Sequence, residues 1–146
     1  MARVTLILPE PVFSTDINIH ISDINYGGHL GNDRVLTLMH EARLRFLKSL
    51  DYKDEISIAP EIGIIVSDSV VIYRSEAFHG DKLKVSVGLD DFNAYGMDIF
   101  YKLENSDTGK EVARGKTGIV FFNYVTRKIA RIPDSFRDRL DKYTEP

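Results

Sequence analysis

The sequence predicts an α+β domain in which one antiparallel sheet wraps around a single long helix. Apolar residues recur at helical spacing over one long stretch only, residues 33–50, and nearly everything after residue 60 alternates as strands do. Short turns separate the predicted strands, so strands that follow one another are expected to run antiparallel. A sheet with one face to bury needs a cover, and the single long helix supplies it.

The helical stretch has one apolar stripe and one charged face. It follows a polar loop, residues 23–32, that contains three glycines, and Asn32 or Asp33 is expected to cap the start of the helix. The stripe predicted to be buried consists of Val35, Leu38, Met39, Ala42, Phe46 and Leu50.

Five strands are predicted, and a short helix over residues 133–140 ends the chain. Residues 12–22 alternate, with Phe13, Ile17, Ile19 and Ile21 on the buried side. Residues 62–73 are apolar on both faces, as in a central strand. The remaining strands cover residues 82–89, 97–103 and 112–124, and a hairpin turn is expected at residues 107–109. Long apolar edge strands favour pairing with another copy of the chain.

The composition limits the functional classes. A chain of 146 residues is expected to form a single domain, residues 1–146. Its net charge of −3 and the lack of a basic cluster argue against a nucleic-acid surface. The absence of cysteine excludes disulfides and a cysteine nucleophile. No signal peptide or membrane span is recognised, so a soluble cytoplasmic protein is expected, without membrane contact.

Several stretches together resemble one enzyme family. The loop Asp23-Ile-Asn-Tyr-Gly-Gly-His-Leu-Gly-Asn32, followed by Met39-His-Glu-Ala-Arg43, is similar to the hotdog-fold acyl-CoA thioesterases of the 4-hydroxybenzoyl-CoA thioesterase type. The later stretches that match lie at residues 71–74, 80–85, 98–103, 115–122 and 132–133. The resemblance covers nearly the whole chain in the expected order.

The resemblance implies a hotdog fold, a five-stranded antiparallel sheet wrapped around one long central helix. It also implies a homodimer or homotetramer with active sites at subunit interfaces. The substrate would be an acyl thioester of coenzyme A or acyl carrier protein, hydrolysed without a metal or cofactor. No metal-ligand spacing and no phosphate-binding loop occur in the sequence.

One position departs from the family pattern. The family loop runs Asp-x-Asp-x-x-Gly-His-x-Asn-Asn, and its second aspartate serves as nucleophile or general base. Asn25 occupies that position here. An amide cannot take a proton from water at neutral pH, so the family mechanism cannot be transferred unchanged.

Four residues are therefore candidates for catalysis. His29 is the candidate general base, because histidine titrates near neutral pH. Asp23 would orient its ring, as carboxylates do in hydrolytic triads, Asn25 would orient the water or the carbonyl, and Glu41 on the helix is a second carboxylate. The expected substrate-binding residues are Gly28, Tyr26 and Asn32, with Gly28 and the helix start next to the developing oxyanion.

Structural roles compete with these assignments. His29, Asp23 and Asn25 are also ordinary turn or capping residues, and Glu41 is placed to pair with Arg45 one turn later. Two other functions compete with the thioesterase. A hotdog hydratase acting on enoyl or 3-hydroxyacyl thioesters carries an Asp-x-Asn-Pro-x-His loop, which matches less well, and a non-catalytic acyl-thioester binder would explain Asn25.

Overall fold

The computed structural model describes residues 3–144, and side chains as far as residue 142, so both ends of the predicted domain (residues 1–2 and 145–146) lie outside it. The elements are β1 (Phe13–Asn18), a 3-10 helix (Ile21–Asp23), α1 (Asn32–Ser49), β2 (Ile62–Tyr73), β3 (Lys82–Asp90), β4 (Gly96–Asn105), β5 (Glu111–Asn123), β6 (Lys128–Ile129) and α2 (Asp134–Thr144). No helix among these residues is long and apolar enough to cross a membrane.

One antiparallel sheet contains all the strands, in the order β1-β3-β4-β5-β2, and the two-residue β6 pairs with the end of β5. The predicted five-stranded antiparallel sheet is confirmed, with β6 as an addition. The β3–β4 and β4–β5 connections are hairpins, and Gly109 has the positive φ of 74° that the second turn requires. The connection between β2 and β3 is not a hairpin, because β2 pairs with β5 instead.

The prediction that residues 62–73 form a central strand is wrong. β2 pairs with β5 alone and forms one edge of the sheet. From Ile65 onward its second edge has no strand partner in the single chain, and Ile65 and Val66 are 37% and 43% exposed. A register shift between Val66 and Asp68 interrupts its pairing with β5.

The first strand ends earlier than predicted. The backbone N–H of His20 donates to Asp23 Oδ2 (2.9 Å), which closes a 3-10 turn directly after β1. Ile19 is buried as expected, but Ile21 lies in this turn and is 73% exposed. The sequence still alternates beyond Asn18, but the strand does not continue there. The hydrogen bond from the His20 N–H to the Asp23 side chain stabilises a 3-10 turn instead.

Helix α1 packs its predicted apolar stripe against the concave face of the sheet, and all six stripe residues are buried. Phe46 contacts Phe13 of β1, with ring centroids 5.7 Å apart. The predicted cap is wrong: Gly31 is the N-cap residue, and no side chain caps the helix. Asn32 and Asp33 lie inside the first turn instead.

Helix α2 packs against the segment that follows α1 and against β5. Phe136 is fully buried between Tyr52 and Phe121, with ring centroids 5.9 Å and 5.1 Å away. The helix begins where predicted and continues to Thr144 rather than ending at Leu140.

Candidate active site

The loop that precedes α1 is a tight turn built by its own backbone. Ile24 and Leu30 form an isolated bridge, and the Asn25 N–H donates to the carbonyl of His29 (3.0 Å). The Gly28 N–H donates to the carbonyl of Asn25 (3.0 Å), and Gly28 has a φ of +85°, which an L side chain would strain. The loop therefore needs its glycine for the turn.

Asn25 supports the same turn with its side chain. Its Oδ1 accepts from the backbone N–H of Gly27 (2.9 Å) and, at the longer distance of 3.5 Å, from that of His29. The side-chain Nδ2 has no acceptor among the residues that the structure describes, and Asn25 borders a groove at the start of α1. Asn25 can thus shape the loop and still donate a hydrogen bond into the groove.

His29 lies in that groove with a defined ring orientation. Its Nδ1 lies 3.2 Å from the carbonyl oxygen of Leu30. Since a carbonyl only accepts, Nδ1 carries the proton and Nε2 is the free acceptor in the neutral ring. The side chain is 35% exposed, and Nε2 makes no hydrogen bond to the described residues.

Asp23 does not hold the His29 ring, and that prediction is wrong. The Asp23 carboxylate is buried, accepts from the His20 N–H through Oδ2, and faces the Arg34 Nε through Oδ1 at 3.4 Å. Its backbone carbonyl also accepts from the Gly31 N–H (3.0 Å). Asp23 therefore fixes the two ends of the loop to each other and to α1.

The groove has a volume of about 530 Å³ and runs from the loop to the segment after β2. The carboxylate of Glu76 lies in it, with Oε1 3.9 Å from His29 Nε2. The polar residues that line the groove are Asn25, His29, Asn32, Tyr73, Arg74, Ser75 and Glu76. The predicted residues Asn25, His29 and Asn32 are thus brought together.

Glu76 was missed by the sequence analysis. It comes just after the matching stretch at residues 71–74, but no spacing in the sequence relates it to His29. Glu76 reaches His29 because the end of β2 lies beside the start of α1. The Tyr73 hydroxyl holds these two elements together by donating a hydrogen bond to the carbonyl of Asn32 (2.9 Å).

The N-terminus of α1 opens into the same groove. The Gly28 N–H is engaged in the turn and is not free for an oxyanion, contrary to the expectation for that residue. Within residues 3–144, the N–H groups of Asn32 and Asp33 have no acceptor. These two donors and the helix dipole provide partial positive charge where Asn32 lines the groove.

Besides Asp23 and Gly28, two more predicted site residues lie outside the groove, Tyr26 and Glu41. Tyr26 is fully exposed at the tip of the loop. Glu41 lies more than two turns along α1 and accepts from Arg45 Nε through Oε2 at 2.7 Å. The predicted pairing of Glu41 with Arg45 is therefore present, and Glu41 does not line the groove that contains His29.

A buried polar network lies deeper along α1. Arg43, 5% exposed, donates to Glu55 Oε2 (2.8 Å) and to the Tyr101 hydroxyl (3.2 Å). The Tyr101 hydroxyl in turn contacts Thr117 Oγ1 (2.7 Å), and the His40 ring contacts Glu55. Burial by itself would raise the pKa of the Glu55 carboxyl, but Arg43 and His40 lower that pKa below its usual value.

No group of three or more histidine, aspartate and glutamate side chains in the described part of the chain is arranged to hold a metal ion.

Several proteins of known structure share this fold. The protein is similar to the 1,4-dihydroxy-2-naphthoyl-CoA thioesterase from Synechocystis, with a TM-score of 0.83 and 19% identity over 92% of this chain and 98% of that one. A hypothetical protein from Staphylococcus aureus, solved in complex with CoA, gives a TM-score of 0.80 and 18% identity over 98% and 90%. The 12:0-ACP thioesterase from Umbellularia californica gives 0.77 and 21% over 92% of this chain and 51% of that one.

These likenesses confirm the predicted hotdog architecture. No curated protein matches the sequence. The thioesterase-like superfamily, however, matches residues 19–140, which include the loop, the helix, the four long strands that follow and most of α2. The chain therefore belongs to the thioesterase-like superfamily.

Proposed function

We propose that this protein hydrolyses acyl thioesters of coenzyme A or of acyl carrier protein in the groove at the start of α1. The observation that carries the proposal is the orientation of His29, whose Nδ1 is held by the Leu30 carbonyl while Nε2 is free to accept a proton. Membership of the thioesterase-like superfamily and the fold shared with CoA and ACP thioesterases support the same reaction.

In the proposed reaction, His29 Nε2 removes a proton from water as the water oxygen attacks the thioester carbonyl. The carbonyl π electrons move onto oxygen, which then carries the negative charge. Collapse of the tetrahedral intermediate breaks the C–S bond, and the imidazolium returns its proton to the thiolate. The products are a carboxylic acid and a free thiol.

Donors for the negative oxygen lie on both sides of the groove. The N–H groups of Asn32 and Asp33 at the helix start and the Nδ2 of Asn25 have no other acceptor within residues 3–144. Such fixed donors stabilise an oxyanion without reorganisation during the reaction. Asn25 thus contributes a donor at the position where the family pattern has an aspartate.

Glu76 is the carboxylate partner of His29 in this proposal. At 3.9 Å from Nε2, it lies too far for a direct hydrogen bond but close enough to stabilise the imidazolium electrostatically. This assignment replaces Asp23, whose carboxylate is engaged with His20 and Arg34.

The test is release of free thiol from a panel of short, long and aromatic acyl-CoAs. We expect turnover in the wild type and a fall in kcat of about 10²- to 10⁴-fold in His29→Ala, the usual effect of removing a general base. His79→Ala is the matched control, because His79 lies in an exposed turn outside the groove.

Full turnover in His29→Ala would remove the assigned base. Tight binding of acyl-CoA without any thiol release would instead identify a non-catalytic acyl-thioester binder. A change at the double bond of an enoyl-CoA, again without thiol release, would identify a hydratase.

We further propose that the active form is a homo-oligomer paired through β2. Ile62 and Ile64 bond to residues 55–59, but from Ile65 onward this strand has a free hydrogen-bonding edge in the described chain. Ile65, Val66 and Tyr73 along it are exposed. A long apolar edge of this kind is normally covered in a soluble protein.

A further inference from the structure

The first turn of α1, which carries the N–H groups assigned to the oxyanion, is held from two sides. Gly31 is its N-cap residue, so no side-chain cap orders this turn. On the loop side, the Gly31 N–H donates to the carbonyl of Asp23 (3.0 Å). On the sheet side, the Tyr73 hydroxyl donates to the carbonyl of Asn32 (2.9 Å). Among the hydrogen bonds of the described residues, this is the one that joins β2 to the first turn.

The carbonyl that Tyr73 contacts belongs to the same peptide group as one of the oxyanion donors. The Asn32 carbonyl and the Asp33 N–H are the two ends of one trans peptide, so they point in opposite directions. The Asp33 N–H has no acceptor within residues 3–144. The Tyr73 hydroxyl therefore acts on this free donor from the other end of its peptide group.

Hydrogen bonds that share a peptide group strengthen one another. A donor at the carbonyl oxygen draws electron density from the amide, so the N–H of the same peptide becomes a stronger donor. The bond also fixes the direction of this N–H, and fixed donors stabilise an oxyanion without reorganisation during the reaction. Tyr73 can thus influence both the position and the strength of the Asp33 donor without contacting the reacting atoms.

The sheet holds Tyr73 firmly in place for this role. Tyr73 is the last residue of β2, which pairs with β5. Directly after it, the N–H groups of Arg74 and Ser75 both donate to the carbonyl of Val112 (2.9 Å and 3.2 Å). The Ser75 hydroxyl donates to the carbonyl of Glu111 (2.7 Å). The half-exposed ring lines the groove, while its hydroxyl is bonded to the helix.

We propose that Tyr73 is a positioning residue for the oxyanion, because its hydroxyl fixes and polarises the peptide group between Asn32 and Asp33. The inference rests on the proposed function, since it concerns a donor used in the same reaction. Tyr73 and Asn32 are 41 residues apart in the chain, so only the packing of β2 beside α1 brings them together.

The first experiment measures thiol release by Tyr73→Phe, which keeps the ring and removes the hydroxyl. We expect kcat to fall about tenfold with KM unchanged, a smaller loss than the 10²- to 10³-fold effect of removing an oxyanion donor itself. Tyr95→Phe is the matched control, since Tyr95 is also half-exposed and its hydroxyl bonds to no described residue. An unchanged kcat in Tyr73→Phe would overturn the proposal. A rise in KM with unchanged kcat would also overturn it, since the hydroxyl would then contact the substrate.

The second experiment varies the strength of the hydroxyl donor while the ring stays in place. Replacement of Tyr73 by 3-fluorotyrosine gives a more acidic hydroxyl, which donates more strongly and keeps its proton at pH 7. At this pH, kcat should rise in the order phenylalanine, tyrosine, 3-fluorotyrosine, because each step polarises the peptide group further. Equal kcat values for tyrosine and 3-fluorotyrosine would indicate a role in packing alone and would overturn the proposal.

The third experiment does not depend on turnover, because it follows the Asp33 amide proton by NMR. Polarisation of the peptide deshields this proton, so its signal should move to higher field in Tyr73→Phe and to lower field with 3-fluorotyrosine. Tyr95→Phe should leave the signal in place. An Asp33 signal that does not respond to either change at Tyr73 would overturn the proposal. If no thioester is hydrolysed, the proposed function fails, and this signal still decides whether Tyr73 acts on the Asp33 N–H.

Discussion

Asn25 illustrates how one side chain can both build a loop and face a substrate. Its Oδ1 accepts from the Gly27 N–H, while Nδ2 is free to donate into the groove. Replacement by aspartate keeps the acceptor and removes the donor. The structural and chemical contributions of this residue can therefore be separated.

Asn25→Asp is expected to keep the thermal stability of the wild type and to lower kcat about 10²- to 10³-fold, the effect of losing one oxyanion donor. Thiol-release kinetics and a melting curve on the same preparation test this. Asn25→Ala removes the acceptor as well and should also lower the melting temperature. A rise in kcat in Asn25→Asp would contradict the role assigned here and favour the aspartate-dependent chemistry of the family pattern.

Glu76→Gln is expected to lower kcat about tenfold with little change in KM, because the variant loses the charge that stabilises the imidazolium, worth about 1.4 kcal/mol. Glu41→Gln is the informative comparison, since Glu41 is a second carboxylate that pairs with Arg45 outside the groove. A larger loss in Glu41→Gln than in Glu76→Gln would place Glu41 in the reaction and remove Glu76 from it.

At this scale, the sequence predicted the residues that share the loop and missed those that reach it from elsewhere. His29, Asn25 and Asn32 are neighbours in sequence, so their meeting in one groove follows from local turn chemistry. Glu76, which the sequence did not single out, lies beside His29 in place of Asp23, because the packing of separate elements determines the partners of both carboxylates.

At the scale of elements, α1 is fixed to the sheet by a polar network as well as by its apolar stripe. Arg43 is almost fully buried, and its partners Glu55 and Tyr101 come from the loop after α1 and from β4. We expect Arg43→Met to lower the free energy of unfolding by about 3 kcal/mol, since the partly buried Glu55 carboxylate loses its arginine partner and keeps only the contact with His40. Urea denaturation measures this loss.

The double variant Arg43→Met/Glu55→Gln should recover part of that loss, because the unpaired carboxylate is removed with its partner. Additive losses in the two single variants and the double variant would show that the ion pair contributes nothing of its own.

Acid stability should depend on the start of β5. The Arg114 hydrogen bond lowers the pKa of the Glu111 carboxyl; partial burial opposes this shift, and the charge on Arg74 adds to it. The folded protein therefore binds this proton less readily than the unfolded chain, whose glutamate pKa is 4.5. The resulting stabilisation is present above pH 4.5 and is lost as the pH falls through the lower folded value.

Glu111→Gln should accordingly show a flatter decline of unfolding free energy between pH 5 and pH 3 than the wild type, to be measured by denaturation at each pH. The substitution also leaves Arg74 and Arg114 unpaired, so the variant should be less stable than the wild type at pH 7. Parallel curves for the two proteins would contradict the lowered pKa.

The strand types were predictable from alternation, but their neighbours were not. β2 has the apolar content of a central strand but lies at an edge of the sheet in the single chain. Its apolar side chains are buried on one face and exposed on the other. Which strands become neighbours depends on how the segment between β2 and β3 crosses the sheet. No local sequence pattern predicts that crossing.

At the scale of the whole molecule, the free edge of β2 predicts self-association. Ile65→Lys/Val66→Lys should shift the protein from an oligomer to the monomer mass of 16.6 kDa in light scattering, because two buried charges would oppose the pairing. Ser14→Lys is the matched control at the opposite edge, on β1, because Ser14 is exposed there. A monomeric wild type at micromolar concentration would refute pairing through β2.

The uncapped start of α1 links occupancy of the groove to the stability of the fold. Gly31 provides no side-chain acceptor, so the first turn retains N–H groups that only water or a ligand satisfies. A non-hydrolysable thioester analogue should therefore raise the melting temperature with increasing concentration, as any ligand of the native state does. In Gly31→Ser the hydroxyl can accept one of these hydrogen bonds, so the empty protein should melt higher and gain less from the analogue. Part of the cohesion of this domain would then be supplied by its own substrate.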